Sequence, residues 1–193
     1  MKKSIIAIAL FAGMTMTASA LSFNWAATGT SFDGSVLKKS SDITGYLVYL
    51  GTGGSYDASY ALSESTTASS LASSIGTLVQ TSTGATSNAG KLQTTFTFDF
   101  GAYNNGDVFG MLLEYKGASD GKTYYNLSSD TYTLAGISDE GSVLDNAVMS
   151  FSYSTAGEKS SITKGGGWTA VPEPSTAALA LAGLALLLKR RKA

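Results

Sequence analysis

The sequence predicts a mainly β protein: an antiparallel β-sandwich with one short helix near residues 63-80, flanked by an N-terminal signal helix and a C-terminal apolar helix. Three observations predict it. A hydrophobic period of two dominates residues 21–170, and glycine-containing turn signals cut that stretch into runs of strand length. Cysteine is absent, so an apolar core and hydrogen-bond ladders must hold the body without covalent staples. A stretch of about 150 residues is long enough for one such core.

The chain opens with Lys2 and Lys3, continues through an apolar run from Ile5 to Phe11, and reaches the small residues Ala18, Ser19 and Ala20. Positive, then apolar, then small is the order of a secretory signal peptide, here residues 1-20. Ala18 and Ala20 present the small side chains that a signal peptidase reads, which makes Leu21 the expected mature N-terminus. The apolar run is short for a bilayer and gives way to threonine, alanine and serine, so export with cleavage is favoured over permanent anchoring.

The body follows, residues 21-164. Its clearest strand is Lys91 to Phe100, with Leu92, Thr94, Phe96, Phe98 and Phe100 on one face and Gln93, Thr95, Thr97 and Asp99 on the other. Ala147 to Tyr153 alternates in the same way. Leu21 to Ala26, Gly45 to Leu50, Val108 to Lys116, Lys122 to Leu127 and Thr131 to Leu134 complete the set. Gly45 to Leu50 and Val108 to Tyr115 are apolar on both faces, as central strands covered on both sides are. Asn104-Asn105-Gly106-Asp107 and Ser119-Asp120-Gly121 supply hairpin loops, so Val108 to Lys116 should pair with Lys122 to Leu127. From Ser63 to Gln80 the period changes: Leu71, Ile75 and Leu78 lie three to four apart in a background of Ala, Ser and Thr, which suits a helix of two or three turns. Thr155 to Gly167 reads as a linker, and residues 165-170 as its Gly-rich end, standing the body off a membrane.

Residues 171-193 have a different composition. Val171, Pro172, Glu173 and Pro174 come first, then an apolar stretch from Thr176 to Leu188, then the basic tail Lys189, Arg190, Arg191 and Lys192. Pro172 and Pro174 are the only two prolines of the chain, and they impose an extended backbone that a processing enzyme can grip. As a helix, Ser175 to Leu188 rises about 21 Å at 1.5 Å per residue, short of a hydrocarbon core of about 30 Å. The basic cluster would stay on the cytoplasmic side, leaving the body periplasmic.

This tail resembles the PEP-CTERM sorting segment of Gram-negative bacteria, and the chain is similar to short β-rich proteins that carry it. The resemblance implies that an exosortase-like enzyme recognises the motif, removes the helix and passes the body to the cell surface or extracellular matrix. A permanent single-helix anchor is the alternative.

The charge distribution separates the same parts. Residues 21–170 hold seven lysines against thirteen acidic residues, with no arginine, and an acidic body of this kind does not suit nucleic acid. With neither histidine nor cysteine, the chain lacks an imidazole base, a thiolate nucleophile and the usual zinc ligands. No cofactor is implied. Asp99 with Glu114 and Asp139 with Glu140 are the carboxylate pairs a glycan hydrolase would need. Both read as solvated charge, Asp99 and Glu114 on outward strand positions and the other pair in a loop. Trp25, Tyr46, Tyr49, Tyr56, Tyr60, Tyr124, Tyr125 and Tyr132 are candidates for stacking on sugar rings, although alternation places most of them in the core or in cross-strand pairs. The expected function is a non-enzymatic exported surface or matrix protein. A carbohydrate-binding module for exopolysaccharide is the alternative, and a hydrolase comes third.

Overall fold

The computed structural model describes residues 20–29, 43–83, 92–116, 120–139, 148–154 and 161–173. The elements run β1 (Ala20–Gly29), β2 (Ile43–Thr52), β3 (Tyr60–Ala61), α1 (Ala68–Ile75), β4 (Thr77–Thr83), β5 (Leu92–Asp99), β6 (Asp107–Tyr115), β7 (Tyr124–Leu127), β8 (Tyr132–Thr133), β9 (Val148–Tyr153), β10 (Ser161–Ile162) and β11 (Thr169–Ala170).

The largest sheet has the order β11-β7-β6-β2-β4, with β8 also pairing with β6. Strands β2 and β6 lie at its centre because their sequences are apolar on both faces. From one face Ile43, Leu47, Phe109, Met111 and Leu113 enter a core shared with the sheet β5-β1-β9, which supplies Phe23, Trp25, Phe96, Met149 and Phe151. From the other face Tyr46, Val48 and Leu112 enter a second core, closed by Leu71, Ala72 and Ile75 of α1 and by Tyr60 and Ile162 of the β3–β10 ribbon. The molecule is therefore a sandwich whose central layer is covered twice. The alternation read in Leu92 to Phe98 and in Met149 to Tyr153 matches the buried faces of β5 and β9.

Hydrogen bonds across the two sheets close the sandwich at both sides. On one side Trp25 Nε1 donates to Gln80 Oε1 at 2.7 Å, and Gln80 Nε2 donates to the Thr95 carbonyl on edge strand β5 at 2.9 Å. On the other side Ser129 N donates to the Ser152 carbonyl at 2.8 Å, and Ser152 N donates to Asp130 Oδ1 at 2.9 Å, occupying the outer edge of β9.

Four features depart from the sequence reading. Strand β1 pairs with β9 in parallel, whereas the other strand pairs among the described residues are antiparallel. The helix is eight residues, capped at Thr67 by a reciprocal bond with Ser70 and ended by Gly76; Leu78 then belongs to β4, where Thr77–Thr83 adds to the edge of β2. The β-branched run after Gly76 outweighs the helical spacing of Leu78, because a partner edge is available to it. Phe100 lies beyond the end of β5 and is exposed.

The fourth departure is the linker. Ser161–Ile162 pairs with β3, Ile162 is fully buried, Trp168 sits in the first core, and Thr169–Ala170 pairs with β7. Residues 165–170 are thus part of the body, because Trp168 is a large apolar side chain that glycine on its N-terminal side allows to fold back. The signal helix, the C-terminal apolar helix, Ala18, Pro174, Lys189, Arg190, Arg191 and Lys192 lie outside the described residues.

Candidate functional site

Two features of the surface adjoin each other: the first residues of the C-terminal motif, and a cleft around a buried carboxylate. The motif is reached through a glycine-built turn. Gly165 and Gly167 take φ of +61° and +86°, and a Cβ on Gly165 would stand 3.0 Å from Ser129 Cβ. The turn drives Trp168 inward, where it is 1 % exposed and meets the Tyr115 ring edge-on at 6.1 Å. Thr169 and Ala170 then lie opposite Tyr125 and Tyr124, and the ladder continues one residue further as Val171 N donates to the Thr123 carbonyl at 2.9 Å.

Pro172 has no N–H to extend that ladder. The Val171 side chain packs against the second core, Pro172 is half-buried, and exposed Glu173 places Oε1 3.7 Å from Lys122 Nζ. An exposed pair at that separation orients more than it stabilises. The turn carrying Lys122 is shaped by Asp120, whose Oδ1 accepts from Lys122 N at 3.0 Å and whose other oxygen accepts from the Tyr124 hydroxyl. Pro172 and Glu173 form one wall of a cleft of about 440 Å³, with Glu64, Thr66 and Lys122 on its other walls.

Thr66 and Thr123 are shared with a second cleft of about 290 Å³ that opens onto Glu114. Glu114 is 3 % exposed. The Tyr46 hydroxyl donates to its Oε2 at 2.9 Å, the Tyr125 hydroxyl to its Oε1 at 3.3 Å, and exposed Lys116 places Nζ 3.0 Å from Oε1. Burial, reinforced by the Glu114 hydrogen bond and charge, holds the Tyr46 phenol well above its ordinary value; burial followed by the Glu114 charge does the same for Tyr125. Both phenols remain donors as a result. Thr67 and the first turn of α1 face the carboxylate across the cleft.

The position of Glu114 reverses its sequence reading. Because α1 covers that face of β6, no outward side remains on the strand, and a lone charge in an otherwise apolar run is buried and must be paired. The doubly apolar run was the signal that could have shown this. Asp99 lies exposed at the end of β5, in the other sheet, so the structure does not bring the two carboxylates together. Asp139 is exposed, and Glu140 lies outside the described residues. Ala20 opens β1 with its side chain exposed. Trp25, Tyr46, Tyr60 and Tyr125 are buried, and Tyr49, Tyr56, Tyr124 and Tyr132 are half-buried, so the aromatic candidates are largely core. Among the described residues no three acidic side chains converge as metal ligands, and no helix is long and apolar enough to cross a membrane.

A family model for the PEP-CTERM protein-sorting motif matches residues 170–192. The chain carries a PEP-CTERM sorting motif. The match begins at the last residue of β11, so the PEP-CTERM motif is continuous with the central sheet. It indicates sorting by an exosortase-like system and export to the cell envelope. No curated protein and no solved structure matches the chain.

Proposed function

We propose that this protein is a non-enzymatic component of the cell surface or extracellular matrix of a Gram-negative bacterium. A signal peptidase acting after Ala20 releases its N-terminus. The apolar stretch from Thr176 to Leu188, with Lys189 to Lys192 on the cytoplasmic side, holds it at the membrane until an exosortase-like enzyme removes that tail. The observation that carries this reading is the PEP-CTERM match over residues 170–192, joined directly to a folded body. Only three residues' length separates Glu173 from Thr176, at most about 11 Å of extended chain. The membrane-held stage therefore keeps the body close to the bilayer. Fractionation of cells expressing the full chain with an epitope tag in the body tests the proposal. The body should reach the surface or matrix fraction and should stall in the periplasm or be lost to the medium when residues 171–193 are deleted; unchanged surface display by the deletion would overturn it.

The Glu114 cleft supports a second reading, carbohydrate binding. It sets a carboxylate acceptor beside hydroxyls from Thr66 and Thr67 and the Lys116 ammonium, and sugar hydroxyls can donate and accept in the same small space. Burial of the aromatics shifts this reading from a stacking platform to the cleft. On a glycan array the exported body should bind exopolysaccharide fragments, with binding lost in Glu114→Gln; equal signals from both forms would remove this reading.

A further inference from the structure

We infer that the Glu114 cleft is a site for a primary ammonium group carried on a sugar ring, and that the polymer it takes contains free, unacetylated amino sugars. The inference rests on the carbohydrate reading proposed above and adds to it the charge of the ligand.

The buried carboxylate does the selecting. Glu114 is almost entirely buried, yet it opens onto the cleft of about 290 Å³ that Thr66, Thr67, Ser69 and Thr123 also line. Its neighbours on β2 and β7 are donors: Tyr46 to Oε2 at 2.9 Å and Tyr125 to Oε1 at 3.3 Å. Two phenols supply hydrogen bonds but no positive charge, and a carboxylate in such a place needs a cation as well. The cation it has is Lys116, 3.0 Å from Oε1, on a side chain that is 62 % exposed. An ammonium held from the solvent side on a long flexible stem is a loose partner, exchanged at little cost. Among the described residues Oε2 accepts from Tyr46 alone, so one side of the anion is left for a donor that arrives through the cleft.

An ammonium suits that position better than a hydroxyl or a metal ion. A sugar hydroxyl gives one hydrogen bond and leaves the charge as it was, whereas an ammonium brings the missing charge and three donors, enough for the carboxylate and for threonine oxygens beside it. A hard divalent cation takes several oxygen ligands, and among the described residues no three acidic side chains converge. An acidic sugar would set its own carboxylate against Glu114. The volume lies at the lower end of the range of about 300–1,000 Å³ for ligand pockets, which is room for a single ring. Through Thr66 and Thr123 the cleft adjoins the one of about 440 Å³ whose walls carry exposed Glu64 and Glu173 as well as Lys122, so further carboxylates stand beside the path of a longer chain. Residues 21–170, with seven lysines against thirteen acidic residues, draw a polycation towards the same surface.

Calorimetric titration of the full chain in detergent tests this, with a glucosamine oligomer and its fully N-acetylated counterpart as the two probes. A pH of about 6 keeps the amines charged, since free α-amino groups titrate at about 7.7–8.0. The glucosamine oligomer should bind about tenfold or more tighter than the acetylated one, as losing a charge-assisted bond predicts. Glu114→Gln, compared at a temperature where its circular dichroism matches that of the parent, should abolish the preference. Lys116→Met removes the internal competitor and should strengthen binding of the glucosamine oligomer several-fold, roughly the scale of an exposed ion pair. Equal binding of both oligomers would overturn the inference and leave the carbohydrate reading standing; binding of neither would overturn both. A preference that survives Glu114→Gln would assign it to the diffuse acidic field, and weaker binding in Lys116→Met would make the lysine a ligand contact; either result overturns the inference.

Discussion

The Tyr46 hydroxyl on β2 donates to Glu114 Oε2 on β6 at 2.9 Å, and Tyr125 from β7 reaches the other carboxylate oxygen, so three adjacent strands are joined by one buried anion. Removing the acceptor leaves two phenols without their partner. Glu114→Ala should destabilise the fold by about 1–3 kcal/mol for each hydroxyl left unpaired. Glu114→Gln, whose single amide oxygen still accepts from one of the two phenols, should cost less. Urea denaturation of the two variants makes the comparison, and equal losses would argue that the carboxylate is held by packing alone.

Trp168 contributes to the core although it stands four residues before Pro172. Trp168→Ala should cost about 3–5 kcal/mol. A chain ended after Glu173 should keep the melting midpoint of the longer protein, whereas one ended after Gly167 should melt far lower. If both truncations melted alike, β11 would be an ornament of the sheet and not part of it.

Gly110 lies on β6 beneath the Tyr56 ring, where an added Cβ would stand 2.6 Å from Tyr56 Cζ. The ring has no free retreat, since its hydroxyl accepts from Met111 N at 2.9 Å and also bonds Ser128. Gly110→Ala should therefore lose about 1–3 kcal/mol, the usual range for overpacking. Tyr56→Phe in the same background tests the cause: if displacement of the hydroxyl is responsible, the two losses should overlap and sum to less than their separate values.

Stability should fall at both extremes of pH. Burial works to raise the Asp107 carboxyl, but bonds from the Thr52 hydroxyl at 2.6 Å, the Asn104 amide at 2.8 Å and the Tyr49 hydroxyl at 3.1 Å outweigh it, leaving its pKa below 3.8. A carboxyl whose folded value is depressed stabilises above its unfolded value, so this contribution is present above 3.8 and lost as pH falls below it. At the other extreme burial raises Tyr56 to about 12, against opposing bonds from Ser128 and Met111. A raised value gives stability that is complete below 10 and lost as pH climbs through about 12. Thermal melts across pH should show Asp107→Asn flattening the acid limb and leaving the alkaline limb unchanged; an unchanged acid limb would shift the effect to other carboxylates.

Much of the strand set is legible in the sequence because a half-buried strand must alternate. β5 and β9 announce their inner faces through Phe96, Phe98, Met149 and Phe151, and β2 and β6 announce double burial by carrying apolar residues on both faces. The tail is legible for a different reason. Its prolines, apolar stretch and basic cluster are chemical labels in linear order, and their meaning does not depend on folding.

What the linear order could not show is which partner each segment finds. Thr77–Thr83 continues the helical spacing through Leu78 but is β-branched at alternate positions, and the open edge of β2 decides between them. The parallel contact of β1 with β9 joins segments more than a hundred residues apart, and nothing in either sequence states its direction. Gly165 to Ala170 has the composition of a spacer, yet the cavity beside Tyr115 takes Trp168 and turns the spacer into the last strand. Glu114 alternates as a solvent-facing residue until α1 is laid over it. By itself, then, the sequence determined the strand periods, the lack of cysteine and histidine, and the presence of a sorting motif. Only the tertiary structure decided that this motif begins inside the central sheet, because burial and pairing belong to the surfaces that segments present to each other and not to the segments alone.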